Sequence, residues 1–238
     1  MTLLNEPIVR RKLSDEVFDR LKLMITSGAL QPGDAMPSER DLMERFGVGR
    51  PAIREAMQAL SNIGLLSISH GERARVRQLT ARSIFERVDA VANIMLSTSP
   101  NSLDHLKKAR QFFERGMARE AAQRATPADI ASLNAILARQ REFLGSAEAF
   151  IAADMALHTR IAAISGNPLF EALSEAMLGW LKQYHTEMLI WTGKENLTLV
   201  EHEEIIACIA AHDEDAAERA IVHHLDRSAA LYVQPGQG

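Results

Sequence analysis

The stretch MPSERDLMERFGVGRPAIREAMQALSNIGLL, residues 36–66, decides how the first third of the chain folds. Ser38 is a strong N-cap residue, so a short helix is predicted over residues 38–46. Residues 47–49, Gly-Val-Gly, form a turn, and a second helix is predicted over residues 50–62 with proline in its first turn. Two short helices joined by a glycine-bearing turn are typical of a helix-turn-helix.

The sequence on either side of this stretch extends the motif to a winged helix. Upstream, apolar residues at helical spacing predict a helix over residues 14–27, with Ser14 as its cap. Downstream, residues 65–69 and 73–77 alternate as strands, and His70-Gly71 turns the chain between them. Residues 1–79 are therefore predicted to form a winged helix-turn-helix domain.

The cations of this domain favour double-stranded DNA as its partner. Arg50 and Arg54 are four residues apart, so they lie one above the other on one helix face. A guanidinium pairs with guanine O6 and N7 or with phosphate. Arg40 begins the preceding helix, and the His70-Gly71 tip is slim enough for a minor groove. Each arginine alone could be an ordinary surface residue, but together they predict a DNA-binding face.

Composition and charge are consistent with a two-domain protein that binds DNA. The 238 residues are 47% apolar and only 5% aromatic, which favours helices over a β-sandwich. The net charge is −4, but residues 1–79 hold 12 basic against 10 acidic residues. No apolar stretch reaches membrane-spanning length, no signal peptide is visible, and a single cysteine excludes an internal disulfide. We therefore expect a cytoplasmic protein without membrane association.

Residues 80–238 are predicted to form an all-α bundle. Helical periodicity and breaks at Ser99-Pro100-Asn101, Thr126-Pro127, Gly145-Ser146 and Gly166-Asn167-Pro168 delimit the segments. The predicted helices span residues 81–96, 102–125, 127–144, 147–165, 168–190, 197–212 and 214–233.

Four residues of this bundle are candidate metal ligands. Asp154 and His158 are four residues apart and share a helix face, and His202 and His224 each fall in a later helix. One carboxylate and three imidazoles suit a first-row divalent ion, with zinc expected and nickel or manganese as alternatives. The absence of cysteine ligands argues against a structural zinc site. On the residues alone, the alternative that these histidines merely cap or pack stays open.

Two resemblances support these interpretations. The residue 36–66 stretch, with PSER, the G-V-G-R turn and IREAM, resembles the DNA-binding domain of the GntR family of bacterial transcription regulators. That resemblance implies that Arg40, Arg50, Arg54 and the His70-Gly71 tip contact DNA. The D-x-x-x-H pair and the two later histidines resemble the FadR-type, or FCD, branch. This second resemblance implies a metal at the four ligands and a small carboxylate effector beside it, bound by Arg110 and Asn167.

We therefore expect a homodimeric transcription regulator, a repressor controlled by a small carboxylate such as a sugar acid or another organic acid. The main alternative is a metal-dependent enzyme fused to a DNA-binding module, with Glu187 or Glu201 as a base. A structural nucleoid protein is a third interpretation, which the acidic second domain disfavours.

Overall fold

A computed structural model describes residues 11–69, 71–99, 101–182 and 194–229 of the chain. It divides into two compact units, Met1–Ser83 and Ile84–Gly238. The described residues form ten α-helices and one two-stranded sheet, which confirms the mainly α fold.

The first unit is a three-helix winged helix-turn-helix. Its elements are, in order, α1 (Leu13–Thr26), α2 (Glu39–Phe46), α3 (Arg50–Asn62), β1 (Leu66–Ser67) and β2 (Arg75–Val76). The strands pair antiparallel with Leu66 opposite Val76, so the predicted wing is confirmed, although its strands are shorter than expected. The core of this unit joins α1, α2, α3 and the wing, and its fully buried large side chains are Leu21, Met36, Leu42, Ile53, Leu60 and Leu66.

Local capping explains why α2 begins and ends as the sequence predicted. The hydroxyl of Ser38 accepts a hydrogen bond from the amide of Asp41, and the Asp41 carboxylate accepts one from the amide of Ser38. This reciprocal capping box satisfies two amides at the start of α2. Gly47 ends α2 in the left-handed region, at φ 65°, where a side chain is disfavoured.

The prediction that Ser14 caps α1 is wrong. The helix begins one residue earlier than expected, so Lys12 is the N-cap and no side chain caps it. Ser14 lies inside the first turn and is buried. Asp15 and Glu16 stand in that turn, where negative charge stabilises a helix N-terminus.

The second unit is a bundle of α-helices. Its helices are α4 (Ala81–Thr98), α5 (Ser102–Arg124), α6 (Pro127–Glu142), α7 (Ala147–Ala163), α8 (Pro168–Lys182), α9 (Lys194–Ala210) and α10 (Glu214–Ser228). The predicted starts of α4 to α8 and of α10 are confirmed. The predicted extensions of α8 and α10 to residues 190 and 233 lie outside the described residues.

The core of the bundle holds the helices that carry the candidate ligands. Helices α5, α6, α7, α9 and α10 share one large apolar cluster, in which Leu133, Leu157, Ile205, Ile209 and Ile221 are fully buried. A smaller cluster joins α4, α5 and α8, and the indole of Trp180 donates a hydrogen bond to Asp89 of α4. Within the described part of the chain, no helix has the length and hydropathy of a membrane span.

Candidate metal centre and nucleic-acid interface

The four predicted ligands converge inside the second unit. Asp154 and His158 come from α7, His202 from α9 and His224 from α10. One potential ligand atom from each lies within 4.8 Å of every other. The Asp154 carboxylate lies 3.8 Å from Nε2 of His158 and 3.4 Å from Nε2 of His202. Residues up to 70 positions apart in the chain are therefore gathered around one point.

The burial of this cluster fits a bound cation. The three histidine side chains are no more than 2% exposed. Both ring nitrogens of His158 and Nε2 of His202 are buried without a hydrogen bond from any residue that the structure describes. Leaving a buried polar atom unsatisfied costs about 1–3 kcal/mol, and coordination of an ion by the ring lone pairs removes that cost. The mixed O/N donor set suits zinc or another first-row divalent ion.

The second nitrogen of each imidazole faces a polar partner from elsewhere in the bundle. Nδ1 of His158 lies 2.6 Å from the Glu114 carboxylate, and Nδ1 of His224 lies 2.8 Å from that of Glu201. Nδ1 of His202 lies 2.9 Å from Oε1 of Gln140. Since an ionised carboxylate only accepts, the hydrogen bond to Glu201 places the proton of neutral His224 on Nδ1, whereas Nδ1 of His158 lies close to Glu114 without hydrogen-bond geometry. The Nε2 lone pair of His224 is then left for a metal.

Gln140 links two of the ligands. Its amide nitrogen donates to Oδ1 of Asp154 at 3.4 Å, while its oxygen faces His202. Because the Asp154 carboxylate can only accept, the amide must face it through nitrogen, and His202 therefore donates from Nδ1 to the oxygen. These contacts thus favour the same tautomer for His202 and His224.

Two arginines hold the two carboxylates. Nε of Arg110 lies 2.5 Å from Glu114, and Arg227 donates to both oxygens of Glu201 at 2.5 Å. Arg227 also donates to the hydroxyl of Thr198 at 2.8 Å. The bundle therefore repeats one arrangement, arginine to glutamate to histidine, on two sides of the cluster.

The surrounding charges lower the pKa values of two carboxylates, and burial lowers those of two imidazoles. Burial raises the pKa of Glu114, but the charges of Arg110 and His158 outweigh it and lower the pKa to about 2. The pKa of Asp154 is also held below its usual value, because its neighbouring imidazoles outweigh its burial. Burial lowers the pKa of His202 well below its ordinary value and lowers that of His224. Neutral imidazoles keep the lone pairs that a metal needs.

Arg110 lies both beside the metal cluster and on the wall of a cavity. Arg110 pairs with Glu114, four residues further along α5, and its side chain is only 4% exposed, so this is a buried pair and not a surface ion pair. The cavity has a volume of about 220 Å³ and lies among α5, α8 and α10. Its lining includes Lys107, Lys108, Arg110, Gln111, Leu225 and Ser228.

Asn167 has a capping contact at the start of α8. Its side-chain oxygen accepts a hydrogen bond from the backbone amide of Leu169 at 3.0 Å. The backbone amide of Asn167 donates to the hydroxyl of Ser165. Gly166 precedes it at φ 71°, which lets the chain turn between α7 and α8. The turn at Gly166 and the cap at Asn167 account for the helix break predicted at this pair.

The predicted DNA-binding arginines are exposed on the first unit. Nε of Arg54 lies 2.8 Å and Nε of Arg50 lies 3.5 Å from the two oxygens of Glu39. One carboxylate at the start of α2 thus holds both guanidiniums of the α3 face. Arg40 is exposed, and Gly71 at the wing tip is exposed with φ 79°. His70 lies outside the described residues.

Comparison with known proteins assigns both units. Residues 13–76 match the gntR family of bacterial regulatory proteins, and residues 105–227 match the FCD domain. The HTH-type transcriptional repressor NanR of Enterobacter sp. (strain 638) is 38% identical over all of this chain and 92% of its own length. The repressor NanR of Escherichia coli K12 is 37% identical over 99% of this chain and 90% of its own.

The chain belongs to the GntR family.

A solved GntR-family structure agrees in fold. The Streptococcus agalactiae GntR protein has a TM-score of 0.65 over 91% of this chain and 99% of its own, at 22% identity. E. coli McbR/YncC has a TM-score of 0.51 over 93% of this chain and 97% of its own, at 18% identity.

Family membership gives no support to the enzyme alternative. Of the two glutamates considered as a base, Glu201 is buried and engaged by His224 and Arg227, so it does not face a substrate. Glu187 lies outside the described residues.

Sequence reasoning missed the partners of the imidazoles. Glu114, Gln140 and Glu201 lie on α5, α6 and α9, and no spacing rule connects them to His158, His202 and His224. The only local signal was the pair Arg110 and Glu114, four residues apart on α5, which falls on a buried rather than an exposed helix face.

Proposed function

We propose that this GntR-family chain is a homodimeric transcriptional repressor that a small carboxylate controls beside a bound metal ion. The observation that carries the proposal is the buried cluster of one aspartate and three histidines, in the same chain as a winged helix-turn-helix. The acid favours a dimer geometry that does not span both halves of a palindromic operator. Such a shift is only as large as the difference in acid affinity between the two geometries.

The metal is a divalent ion held by Asp154, His158, His202 and His224, with zinc preferred over nickel or manganese. Four protein ligands from α7, α9 and α10 leave room for a further oxygen ligand on an ion that expands its coordination. The ion supplies a positive charge to which an acid can bind.

The effector is a sugar acid or another small organic acid. Arg110 presents a planar guanidinium, which pairs with a carboxylate through two hydrogen bonds. The adjoining cavity is lined by Lys107 and Lys108 as well as by two carboxylates, Asp104 and Asp226, so with Arg110 its lining carries one net positive charge, which favours an anion only slightly. Asn167 is not among the residues that line this cavity, and its side-chain oxygen is engaged in the α8 cap, so its assignment to the acid rests on the family resemblance and on its side-chain nitrogen alone.

The DNA interface comprises Arg40, Arg50, Arg54 and the wing tip at His70 and Gly71. The shared contact with Glu39 orients Arg50 and Arg54 before DNA arrives. Arginines held in place lose less side-chain entropy on binding, which favours specific contacts over loose attachment to phosphate. As a protein that binds chromosomal DNA, it is assigned to the cytoplasm.

The dimer is assigned to an apolar stripe on α4. One face of this helix, Phe85, Asp89, Ala92 and Leu96, is at least partly covered within the unit. The adjacent face exposes large apolar side chains at coiled-coil spacing, namely Ile84, Val88, Val91 and Met95, with Ile94 beside them. Such a 4-3-4 spacing matches a second copy of the same helix.

The test combines DNA binding with controlled metal and acid. Operators are first selected from a random duplex library with the purified full chain. Affinity for the selected duplex is then measured with gluconate, glucuronate, N-acetylneuraminate, malate or citrate, each with zinc-loaded and with metal-free protein. At least one acid is expected to weaken binding of the loaded protein and to have little effect on the metal-free protein. Binding that no acid changes in either form contradicts the proposal.

A further inference from the structure

The two glutamates behind the histidine cluster differ from the other acidic residues of the bundle. Glu114 and Glu201 are the buried acidic residues of the described chain, at 5% and 4% exposure. Each approaches one imidazole of the cluster with one oxygen, at 2.6 Å and 2.8 Å respectively, and contacts one arginine through the other oxygen or through both. Glu201 also lies 3.9 Å from the exposed His223. Burying a carboxylate is costly, so a pair of them around one cluster calls for an explanation beyond packing.

Their contacts suit the positioning of a metal ligand. A carboxylate that accepts a proton from Nδ1 fixes the tautomer and the rotation of the ring and makes Nε2 a better donor to a metal. The arginines complete the arrangement, because they neutralise the carboxylates in an apolar interior and fix their orientation. Arg227 is held in turn by Thr198, so this side of the arrangement rests on α9 and α10 alone.

We propose that Glu114 and Glu201 are positioning residues of the metal site, that Arg110 and Arg227 hold them, and that a cavity ligand acts on His158 through Arg110 and Glu114. This rests on the proposed function, since it assumes that the four-residue cluster binds a metal. Only the Arg110 side faces the cavity, since Arg227 is not among the residues that line it. Glu114 therefore couples the cavity to the metal, whereas Glu201 serves the metal alone.

The two sets also differ in burial. The Arg110 and Glu114 side chains are 4% and 6% exposed, whereas Arg227 is 17% exposed. The contact between Arg110 and Glu114 is accordingly less exposed to bulk water than that between Arg227 and Glu201, and the cavity is the side from which a ligand can reach it. An anion there competes with Glu114 for the guanidinium and leaves more negative charge on the carboxylate that faces His158.

Metal affinity of the full chain tests the assignment without any effector. Metal-free protein is titrated with zinc in competition with a chromophoric chelator, and with cobalt, whose visible absorption reports the ligand field. Glu114→Gln and Glu201→Gln are compared with Glu218→Gln, whose carboxylate pairs with Arg115 and Arg119 on the outside of the bundle. We expect zinc to bind roughly 10- to 100-fold more weakly to the first two variants, with shifted cobalt bands, and Glu218→Gln to match wild type.

The variant Arg227→Gln provides a second test of the assignment in case the glutamate variants fail to fold. Arg227 touches the carboxylate and no imidazole in the described contacts, so its replacement should weaken zinc binding and shift the cobalt bands through Glu201 alone. Far-UV circular dichroism of the metal-free proteins checks that each variant is folded.

The outcomes separate this inference from the proposed function. If wild type binds neither zinc nor cobalt, the proposed metal site fails and the inference fails with it. If wild type binds but the folded variants bind within about twofold of it, or lose affinity with unchanged cobalt bands, the glutamates only pack and the inference alone is overturned.

Discussion

Arg54 of α3 and Glu39 of α2 form an ion pair in which Nε lies 2.8 Å from Oε1, so the proposed DNA-binding face of α3 contacts the helix before it. Both side chains remain accessible, and Glu39 contacts Arg50 with its other oxygen. The carboxylate fixes the direction of the guanidinium without burying it. This contact makes Arg54 the sharpest point at which to test the DNA interface.

Arg54→Ala should abolish specific operator binding and leave the second unit folded. A paired arginine–base contact contributes about 1–3 kcal/mol of discrimination between base pairs. Fluorescence anisotropy with the selected operator and a scrambled duplex, at matched salt, measures the change. Arg124→Ala is the matched control, since Arg124 is an exposed arginine paired with Glu120 on α5. Equal operator affinity in Arg54→Ala and wild type would show that α3 does not read bases through this residue.

His202→Ala should lower the metal content of the purified protein well below that of wild type, which we expect to approach one ion per chain. The variant loses one of four ligands and also the contact through which Gln140 orients that side of the cluster. Elemental analysis after reconstitution with zinc, nickel or manganese gives the stoichiometry. His105→Ala, which alters an exposed histidine of α5, should retain the wild-type content. If the wild-type protein carried no ion after reconstitution, the four residues would be ordinary polar contacts and the metal site would be wrong.

Arg110→Lys should weaken the binding of the acid and its effect on DNA, and leave operator affinity without acid unchanged. Lysine keeps a positive charge near Glu114 but does not form the two parallel hydrogen bonds of a guanidinium. Calorimetry with the acids that act on wild type measures the change, and metal analysis should show that the ion is retained. A normal response in the variant contradicts the carboxylate assignment, as does a wild type that responds only to neutral ligands.

The metal-free protein should lose stability in mild acid. The pKa values of His202 and His224 are lowered by burial, so the unfolded chain binds protons that the folded chain does not. The free energy of unfolding should therefore be unaffected by these groups above about pH 6.5 and should fall as the pH decreases below it. Both tryptophans of the chain, Trp180 and Trp191, belong to the second unit, so their fluorescence follows its unfolding.

The predicted loss of stability at low pH can be checked with a control variant. His202→Asn removes one of the titrating groups, so its unfolding temperature should fall less between about pH 7.5 and pH 5.5 than that of wild type. The low pKa of Glu114 acts in a separate range, from about 4.5 down to about 2, and does not contribute in this window. An unfolding temperature of the wild type that is constant over the window would contradict the buried neutral imidazoles.

Val91→Glu should convert a dimer into a monomer. Val91 is 68% exposed at the middle of the α4 stripe, and burying a valine in an interface contributes roughly 1.5–3 kcal/mol. A glutamate there places like charges opposite each other in a symmetric contact, so dimerisation should weaken by at least about tenfold. Light scattering coupled to size-exclusion chromatography measures the mass. Leu23→Glu, at a similarly exposed apolar residue of α1, should leave the mass unchanged. An unchanged dimer in Val91→Glu would move the interface away from α4.

The sequence predicted those parts of the molecule that depend on neighbouring residues. Ser38 with Asp41 and Thr126 with Asp129 form capping boxes. Each box joins residues three positions apart, so the start of the helix is determined by a short stretch of sequence. Asp154 and His158 share a face because of helix geometry alone. Ser14 misled the prediction because the helix begins at Leu13, a difference of one residue that moves a hydroxyl from the cap into the first turn.

The remainder of the site depends on how the helices pack. Glu114 meets His158 because α5 lies against α7, and Gln140 meets His202 because α6 lies against α9. Pairs that are 44 and 62 residues apart leave no periodic signal in the chain. The same holds for the burial of Arg110, since one face of α5 is covered by α10 and the sequence of α5 does not reveal which.

The order of the ligands along the chain has a consequence for biosynthesis. Asp154 and His158 leave the ribosome first, His202 follows on α9, and His224 arrives only with α10, the last helix described. A nascent or truncated polypeptide that lacks α10 has neither the third imidazole nor Arg227 to hold Glu201. If the four residues bind an ion as proposed, a polypeptide that ends before residue 224 would lack one of its ligands, and one that ends before residue 227 would also lack the arginine that contacts Glu201.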